Sequence, residues 1–436
     1  MRGTLRWTIT VCLLFAAGTA LAGGFNIYEA GARATAMGGA FTATADDGSA
    51  IFYNPAGLAF LEGSALDLNL MPVVPAAKFT GAYAPDGTFA SGETVDQSFP
   101  IPGLYYYTTF EENLTFGLGV YAPFGLGVEW SDPEAWAGRA LSYDVDLATV
   151  YVSPTFAWKV HEDVAVSFGL DIAFSEIELN RFRTQPFGGN MDEINVIDAK
   201  ISGSCEPNFT PQAGVMIRAT DRLTLGAMFH QQKDLAIQDG KMELTNVAPA
   251  ALEGAVDGII AGLGGAEHDG TTVLHLPHML SLAAAYQLTD AARVEVDFVH
   301  FNWSTFDKLV LDFNNPMLDQ SIEEQYEDVW QFRAGLSYDL SPELTAMAGY
   351  VRDNTPQPVE SMSPLLPDSD RNDASVGLAY RVSDRLTFTG SYMAVIFKAR
   401  SNVENGEIQS FDPEISPAGT YDSRADIFGI GIGYKF

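Results

Sequence analysis

Residues 164–174 read VAVSFGLDIAF and alternate between two kinds of side chain. The bulky apolar positions are Val164, Val166, Phe168, Leu170, Ile172 and Phe174. The small or polar positions are Ala165, Ser167, Gly169, Asp171 and Ala173. Because successive side chains of a β-strand point to opposite faces, this segment presents one apolar face and one polar face. Such alternation over about ten residues is typical of a transmembrane β-barrel strand, with lipid outside and a polar lumen inside.

The same alternation recurs at 114–122, 293–298, 329–338 and 428–436. In the second of these segments every other residue is ionisable, namely Arg293, Glu295 and Asp297. A strand of a soluble β-sandwich buries one face under a second sheet. Ionisable residues at alternate positions would place charges on such a buried face, which is unfavourable. The pattern therefore favours a barrel over a sandwich.

The connections between these segments alternate in length. Six short polar turns lie at 111–113, 161–163, 220–222, 289–291, 341–343 and 383–385. Seven longer connections lie near 78–99, 122–146, 178–209, 231–274, 303–327, 354–371 and 399–424. Short periplasmic turns that alternate with long extracellular loops are characteristic of bacterial outer-membrane barrels. These thirteen connections predict an all-β, fourteen-stranded antiparallel transmembrane barrel with both termini in the periplasm.

The two ends of the chain are typical of an outer-membrane protein. Residues 1–22 form a signal peptide, with Arg2 and Arg6 before an apolar run and Ala20-Leu21-Ala22 as the cleavage site. The apolar run is shorter than the roughly 20 residues of a spanning helix. The C-terminal residue, Phe436, closes an alternating strand. It resembles the signal read by the outer-membrane assembly machinery, which we expect as a partner.

The composition excludes several classes of function. The formal net charge of −32 becomes −34 when the two leader arginines are removed, and such a surface repels nucleic acid. An acidic exterior suits either divalent bridges to outer-membrane lipid and lipopolysaccharide or a saline habitat. Cys205 is the one cysteine after the leader, which excludes an intramolecular disulfide. Without G-x-S-x-G or H-E-x-x-H motifs, we expect no enzyme activity, metal or cofactor.

The segment after the leader, residues 23–61, reads GGFNIYEAGARATAMGGAFTATADDGSAIFYNPAGLAFL. It is rich in glycine and alanine, has no regular hydrophobic period, and cannot bury enough apolar surface to fold alone. Small side chains allow close backbone approach inside a larger structure. We therefore expect a plug, called the hatch below, inside the lumen of a barrel formed by residues 62–436. The alternative is a flexible N-terminal segment without a defined position.

Motifs along the chain resemble the FadL/TodX family of outer-membrane channels for long-chain fatty acids and other hydrophobic molecules. Those similar to its N-terminal hatch are Gly24-Phe25, Gly38-Gly39-Ala40-Phe41, Ala45-Asp46-Asp47 and Asn54-Pro55-Ala56-Gly57-Leu58. Further similar segments are 122–130, 136–139, 276–278, 302–306, 353–356 and 366–371. The resemblance implies fourteen strands, in agreement with the turn count. It is weakest at 178–209 and 231–274, so substrate identity transfers least there.

The resemblance also implies sites in the hatch and in the barrel wall. It places a ligand pocket at the hatch N-terminus near Phe25, while the step Asn54-Pro55-Ala56 is stiff and should fix the hatch. Proline cannot donate to a sheet ladder and glycine permits a bulge, so Tyr121–Gly127 should interrupt strand pairing. In the family this strand is kinked inward, which implies a lateral opening at Pro123, Phe124 and Gly125. An ordinary strand end is the alternative.

Two further sets of residues are candidates for ligand contact. On helical spacing Leu252, Val256, Ile259, Ile260 and Leu263 share an apolar face. This face is either an extracellular capture surface or packs on the barrel mouth. A carboxylate headgroup needs a cation, for which the candidates are Arg139, Arg333 and Arg371. Each arginine could equally be a counter-ion in an acidic chain.

These observations together predict a monomeric channel for passive, ligand-gated uptake of hydrophobic molecules. Long-chain fatty acids are the first expectation for the ligand, and aromatic or aliphatic hydrocarbons are the second. A non-transporting surface protein, such as an adhesin or structural porin, is an alternative from another class. A general polar porin comes third, because an intact hatch argues against it.

Overall fold

The computed structural model describes residues 24–83, 89–187, 192–413 and 415–436, so the predicted signal peptide lies outside the described part. Fourteen strands form a closed antiparallel barrel, as the turn count predicted. They are β1 Ser64–Tyr83, β2 Phe99–Glu111, β3 Leu114–Tyr121, β4 Asp144–His161, β5 Val164–Phe187, β6 Asn208–Arg218, β7 Leu223–His230, β8 Met279–Thr289, β9 Ala292–Phe301, β10 Val329–Asp339, β11 Leu344–Asp353, β12 Arg371–Arg381, β13 Leu386–Phe397 and β14 Gly419–Lys435. Each strand pairs with its sequence neighbours, and β14 closes on β1 with Leu68 opposite Ile432.

The alternation of side chains has the predicted orientation. In β5 the side chain of Phe168 is 62% exposed on the outer surface, whereas Asp171 is 0% exposed on the lumen side. Trp330 and Leu336 of β10 likewise face outward, while Arg333 between them is buried. Since bilayer lipid covers the outer surface, these exposed apolar side chains are in their preferred environment.

Additional strands extend or cover the extracellular ends of the barrel strands. They are Phe89–Glu93, Gly125–Glu129, Asp192–Ser204, Lys233–Asn246, Glu267–Leu276, Lys308–Phe313, Gln320–Glu323, Arg400–Ser401, Val403–Glu404 and Glu407–Ile408. The α-helices are α1 Ala32–Ala36, α2 Ala50–Tyr53 and α3 Glu253–Gly262, and the 3-10 helices are Pro55–Phe60, Trp303–Thr305 and Val359–Ser361. Among the described residues no helix has the length and apolar character needed to cross a membrane.

The hatch fills the lumen and rests on glycines of the barrel wall. A Cβ atom added to Gly349 would lie 2.6 Å from the Cα of Gly38. One added to Gly335 would lie 2.7 Å from the carbonyl oxygen of Met37. Real Cβ atoms essentially never approach other atoms this closely, so only glycine fits at these wall positions. The glycines of the strands thus create the groove that the hatch backbone occupies.

Polar residues on the lumen face of the barrel hold the hatch backbone. The amide N–H of Ala43 donates to Glu295 (2.6 Å), and that of Thr42 donates to Asp297 (3.1 Å). On β1, Asp67 accepts a hydrogen bond from the Gly48 N–H at 2.8 Å. The hatch has little regular secondary structure, so its buried N–H groups need such partners. This explains why the alternation in the sequence has carboxylates on the inner face.

Candidate functional site

The side chain of Asn54 makes hydrogen bonds within the hatch and to the barrel wall. Its Oδ1 accepts from the N–H of Ala56 at 3.2 Å and caps the 3-10 helix that begins at Pro55. Its Nδ2 donates to the carbonyl of Thr42 at 2.9 Å and to the carbonyl of Val215 in β6 at 3.0 Å. One side chain therefore joins two parts of the hatch to the barrel wall.

The pairing between β2 and β3 stops before either strand reaches the extracellular rim. The last pair is Leu104 with Val120, and β3 ends at Tyr121. The chain regains strand structure at Gly125–Glu129, which pairs with β4 alone among the described strands. Residues 99–103 of β2 keep their partner β1 but have no described partner on the β3 side. The ladder between β2 and β3 is thus interrupted after Val120, and we call this break the wall gap.

At the wall gap the chain pairs with the hatch instead of the neighbouring strand. The N–H of Ile27 donates to the carbonyl of Pro123 at 2.8 Å, and the N–H of Gly125 donates to the carbonyl of Phe25 at 3.0 Å. The side-chain amide of Asn26 adds a bond to the same Pro123 carbonyl at 3.1 Å. Pro123 has no N–H to give to β2, so the inward turn loses no ladder bond at that residue. The hatch N-terminus thus forms the inner lining of the wall gap.

The side chain of Phe25 is held in an aromatic cage. Its ring centroid lies 4.8 Å from Trp303, 5.6 Å from Phe306 and 6.2 Å from Phe124, all in edge-to-face geometry. Only 3% of Phe25 is exposed. Each aromatic pair of this kind contributes about 0.5–1.5 kcal/mol beyond its area burial. The cage is therefore the main apolar anchor of the hatch N-terminus.

A narrow crevice lies between the hatch and the wall gap. Its lining comprises Asn26, Phe52, Tyr121, Pro123, Phe124, Tyr151, His230, Lys233, Pro277 and Met279. The crevice has a volume of about 20 Å³ for a water-sized body, enough for one water molecule. A hydrophobic ligand needs far more space than this. In the conformation described, the hatch N-terminus must move before a ligand can occupy the crevice.

A buried carboxylate, Asp171, organises one side of the crevice. It accepts hydrogen bonds from Lys233 Nζ (3.0 Å), Ser153 Oγ (2.6 Å), Tyr121 OH (3.0 Å) and Gln212 Nε2 (3.0 Å). His230 lies between this carboxylate and the hatch, with Nδ1 3.2 Å from Asp171 Oδ2 and Nε2 3.0 Å from the carbonyl oxygen of Phe52. The positive charge of Lys233 is therefore compensated by Asp171.

The arginines named from the sequence lie elsewhere than the crevice. Arg333 lies over the ring of Tyr28 at 4.5 Å and donates to the carbonyl of Gly39 at 3.1 Å, which holds the hatch. Arg371 forms a buried ion pair with Asp353.

Arg139 lies in an extracellular loop, where it donates to Asn195 at 2.7 Å. The cation that lines the crevice is Lys233, which the sequence reasoning missed. Lys233 begins a loop strand, so no alternation pattern marked its side chain as lumenal.

The first described residue of the hatch is tethered to an extracellular loop. The N–H of Gly24 donates to Asp368 at 2.9 Å, and Thr355 Oγ1 donates to the same carboxylate at 2.6 Å. Burial raises the pKa of Asp368 to about 6, although the Arg371 guanidinium acts to lower it.

The apolar residues predicted to share a helical face lie in or beside α3, and four of the five are at least partly buried. Val256 is buried, and Leu252, Ile260 and Leu263 pack against the hydrophobic core of the loops. Ile259 alone of the five remains largely exposed, at 47%. The packing of these four residues agrees with the alternative of self-packing, and a capture role for the face stays a prediction. A helix that covers neighbouring strands buries its apolar face whenever one is available.

Comparison with known proteins agrees with the family expected from the sequence motifs. A family model described as "Outer membrane protein transport protein (OMPP1/FadL/TodX)" matches residues 13–436. The chain is 23% identical to outer membrane protein P1 of Haemophilus influenzae, over 98% of both chains. It is 20% identical to a long-chain fatty acid transport protein of Escherichia coli, over 90% of both.

Solved structures agree in fold. A Pseudomonas aeruginosa FadL homologue superposes with a TM-score of 0.81 at 21% identity, covering 95% of this chain and 100% of that one. The Pseudomonas putida toluene transporter TodX superposes with a TM-score of 0.70 at 16% identity, covering 93% of this chain and 98% of that one. At these identities the likeness concerns the barrel fold.

Proposed function

The chain belongs to the OMPP1/FadL/TodX family of outer membrane transport proteins, and from this premise we propose that it is a passive, ligand-gated channel for long-chain fatty acids. The family consists of transport channels for hydrophobic compounds rather than enzymes, and the barrel lies in the outer membrane. In the proposed route a ligand moves from the loops to the crevice, displaces the hatch N-terminus and leaves through the wall gap.

The observation that carries this proposal is the wall gap beside a plugged lumen. Hatch residues such as Phe41 and Ile51 are fully buried in the lumen, so a straight polar passage is closed. The wall gap opens instead toward the outer face of the barrel, where a hydrophobic molecule can enter lipid without crossing water. A general polar porin needs the lumen that the hatch fills.

A ligand opens the route only if its binding offsets the contacts that hold the hatch N-terminus in place. Displacement of the hatch N-terminus breaks two backbone hydrogen bonds with Pro123 and Gly125, at about 0.5–1.5 kcal/mol each. It also removes three aromatic contacts of Phe25, worth about 0.5–1.5 kcal/mol each. These contacts total about 2.5–7.5 kcal/mol, and burial of one CH₂ group contributes about 0.8 kcal/mol, so about three to nine buried CH₂ groups offset the total. Long acyl chains meet this requirement and small polar solutes do not.

A hydrocarbon is the second candidate ligand, and one observation favours it. Lys233, the cation that lines the crevice, is already paired with Asp171 at 3.0 Å. A carboxylate headgroup would share that cation, whereas a neutral molecule would not. The aromatic cage also suits a ring-shaped ligand, because Phe25 itself presents a phenyl ring to it.

We further propose a monomer whose outward-facing Phe436 is read by the outer-membrane assembly machinery. Phe436 is exposed and contacts Tyr434 edge-to-face at 5.3 Å at the end of β14. The acidic loops would face lipopolysaccharide and its divalent cations. Asn54, Pro55 and Ala56 serve in this scheme to hold the rest of the hatch still while its N-terminus moves.

The experiment is uptake of labelled oleate and labelled toluene by cells with and without this protein. The proposed function predicts faster uptake of oleate with the protein, and faster uptake of toluene alone would select the second candidate. Equal uptake of both compounds with and without a folded barrel would instead support a non-transporting surface protein. Folding is checked in the same cells by heat-modifiable gel mobility.

A further inference from the structure

The hydroxyl group of Tyr151 lines the crevice without a hydrogen-bond partner among the described residues. Its side chain is 2% exposed. Tyr151 lies opposite Tyr121 in the β3–β4 ladder, at the last pair before the wall gap. Its ring centroid is 6.3 Å from that of Phe124, which belongs to both the aromatic cage and the wall gap, so a ligand in the crevice lies beside this side chain.

The polar groups around Tyr151 are already engaged with one another. Tyr121, Ser153 and Lys233 all donate to Asp171, and His230 bridges Asp171 and the hatch. The ring of Tyr151 is held in place by Lys233, whose Nζ lies 4.7 Å from the ring centroid. The hydroxyl is thus a held donor with no acceptor among the described residues, and an unpaired buried donor costs free energy that an incoming acceptor recovers.

The aromatic cage contains a second donor of this kind. The indole Nε1 of Trp303 is buried and has no hydrogen-bond partner among the described residues. The Trp303 ring lies 4.8 Å from Phe25 and 6.3 Å from Phe124, centroid to centroid. The indole N–H can only donate and the phenol O–H can donate, so an acceptor oxygen can pair with either group, whereas a hydrocarbon can pair with neither.

We propose that Tyr151 selects hydrophobic molecules that carry an acceptor oxygen, such as carboxylic acids and ketones, over hydrocarbons of the same size. This inference rests on the proposed function, because it names the ligand chemistry of the same crevice. Tyr151 acts as a specificity residue: its hydroxyl donates to the ligand oxygen, and the aromatic and aliphatic lining takes the apolar part. A hydrocarbon can still occupy the crevice but leaves the hydroxyl unpaired.

The test is binding of two ligands of nearly equal shape, acetophenone and isopropylbenzene, to the purified barrel in detergent by calorimetry. Tyr151→Phe removes only the hydroxyl. It should weaken acetophenone binding about tenfold, the effect of one lost hydrogen bond, and leave isopropylbenzene binding unchanged. Tyr421→Phe is the matched control, since Tyr421 is also a buried tyrosine whose hydroxyl has no partner among the described residues, but it does not line the crevice.

Two results would overturn the inference while the proposed function stands. One is unchanged acetophenone affinity in Tyr151→Phe, and the other is an equal loss for both ligands. If wild-type protein binds neither ligand and takes up neither oleate nor toluene, the proposed function itself fails and this inference fails with it. A folded barrel in every variant is established by heat-modifiable mobility before binding is measured.

Discussion

Substitution of Gly349 by alanine should loosen the hatch without harming the barrel. The new Cβ would lie 2.6 Å from Gly38 Cα, and the nitrogen of Gly38 and the carbonyl carbon of Met37 would be nearer still. Ordinary contact begins at 3.4 Å, so the hatch backbone must withdraw by at least about 0.8 Å. Overpacking of this kind costs about 1–3 kcal/mol, which reduces the equilibrium constant for hatch closure by about five- to 150-fold.

The assay is conductance of the purified protein in planar bilayers, together with leakage of a small polar dye from liposomes. Gly349→Ala should raise both the open fraction and the leakage. Gly390→Ala is the matched control, because Gly390 lies on the exposed face of β13 and an added Cβ meets nothing within 4 Å. Both variants should run as folded, heat-modifiable barrels.

One result would refute this reasoning. If Gly349→Ala folds and conducts like wild type, the hatch does not rest on the wall glycine in the membrane. If both glycine variants leak equally, the effect belongs to the strands rather than to the hatch contact.

Three further predictions concern the hatch. The double change Asn54→Ala with Pro55→Ala should slow oleate uptake more than it reduces folded protein; loss of folded barrel with unchanged uptake per folded molecule would make the triplet an assembly element instead. Phe25→Ala empties the aromatic cage and removes contacts worth about 1.5–4.5 kcal/mol, so uptake of short-chain acids that wild type admits poorly should rise; uptake unchanged at every chain length would contradict the gating role. Because the pKa of Asp368 is raised to about 6 in the closed state, that state binds a proton more tightly than one in which Asp368 is exposed, with an ordinary pKa near ~3.9. The closed hatch should therefore become more stable by about 2–3 kcal/mol as pH falls from 6 to 4, and its stability should stay constant above pH 7. Bilayer conductance should accordingly fall on acidification, and Asp368→Asn should abolish this pH dependence. Conductance that rises on acidification would contradict the prediction.

The alternation in segments such as 164–174 could be interpreted from the sequence because a barrel strand has a period of two and its surroundings differ on each side. An interruption of pairing after Tyr121 was expected because Pro123 cannot donate to a sheet ladder, but the expectation of a lateral opening there came from the family resemblance. The hatch was expected because residues 23–61 are rich in glycine and alanine, have no regular hydrophobic period and precede a barrel, and the family resemblance agreed with that expectation.

The details that depend on distant contacts were not predictable. Asp171 meets Lys233 across 62 positions of sequence, and Asp297 meets Thr42 across 255. No local pattern encodes such pairs, so Lys233 was missed and three arginines were named as candidates in its place. The packing of α3 was left open for a related reason, because helical spacing shows that Val256 and Ile260 share a side but not what covers it.

The central claim is that a hydrophobic ligand leaves through the wall gap. It is tested most directly by thiol modification of Ala122→Cys in a Cys205→Ser background, with Leu118→Cys as the control. Leu118 lies within β3, where it pairs with Tyr106 and Pro154 in the intact ladder, whereas Ala122 follows the end of that strand. The account predicts that a bulky adduct at position 122 blocks uptake of labelled oleate and that the same adduct at position 118 does not. Undiminished uptake after complete labelling at position 122 would contradict it.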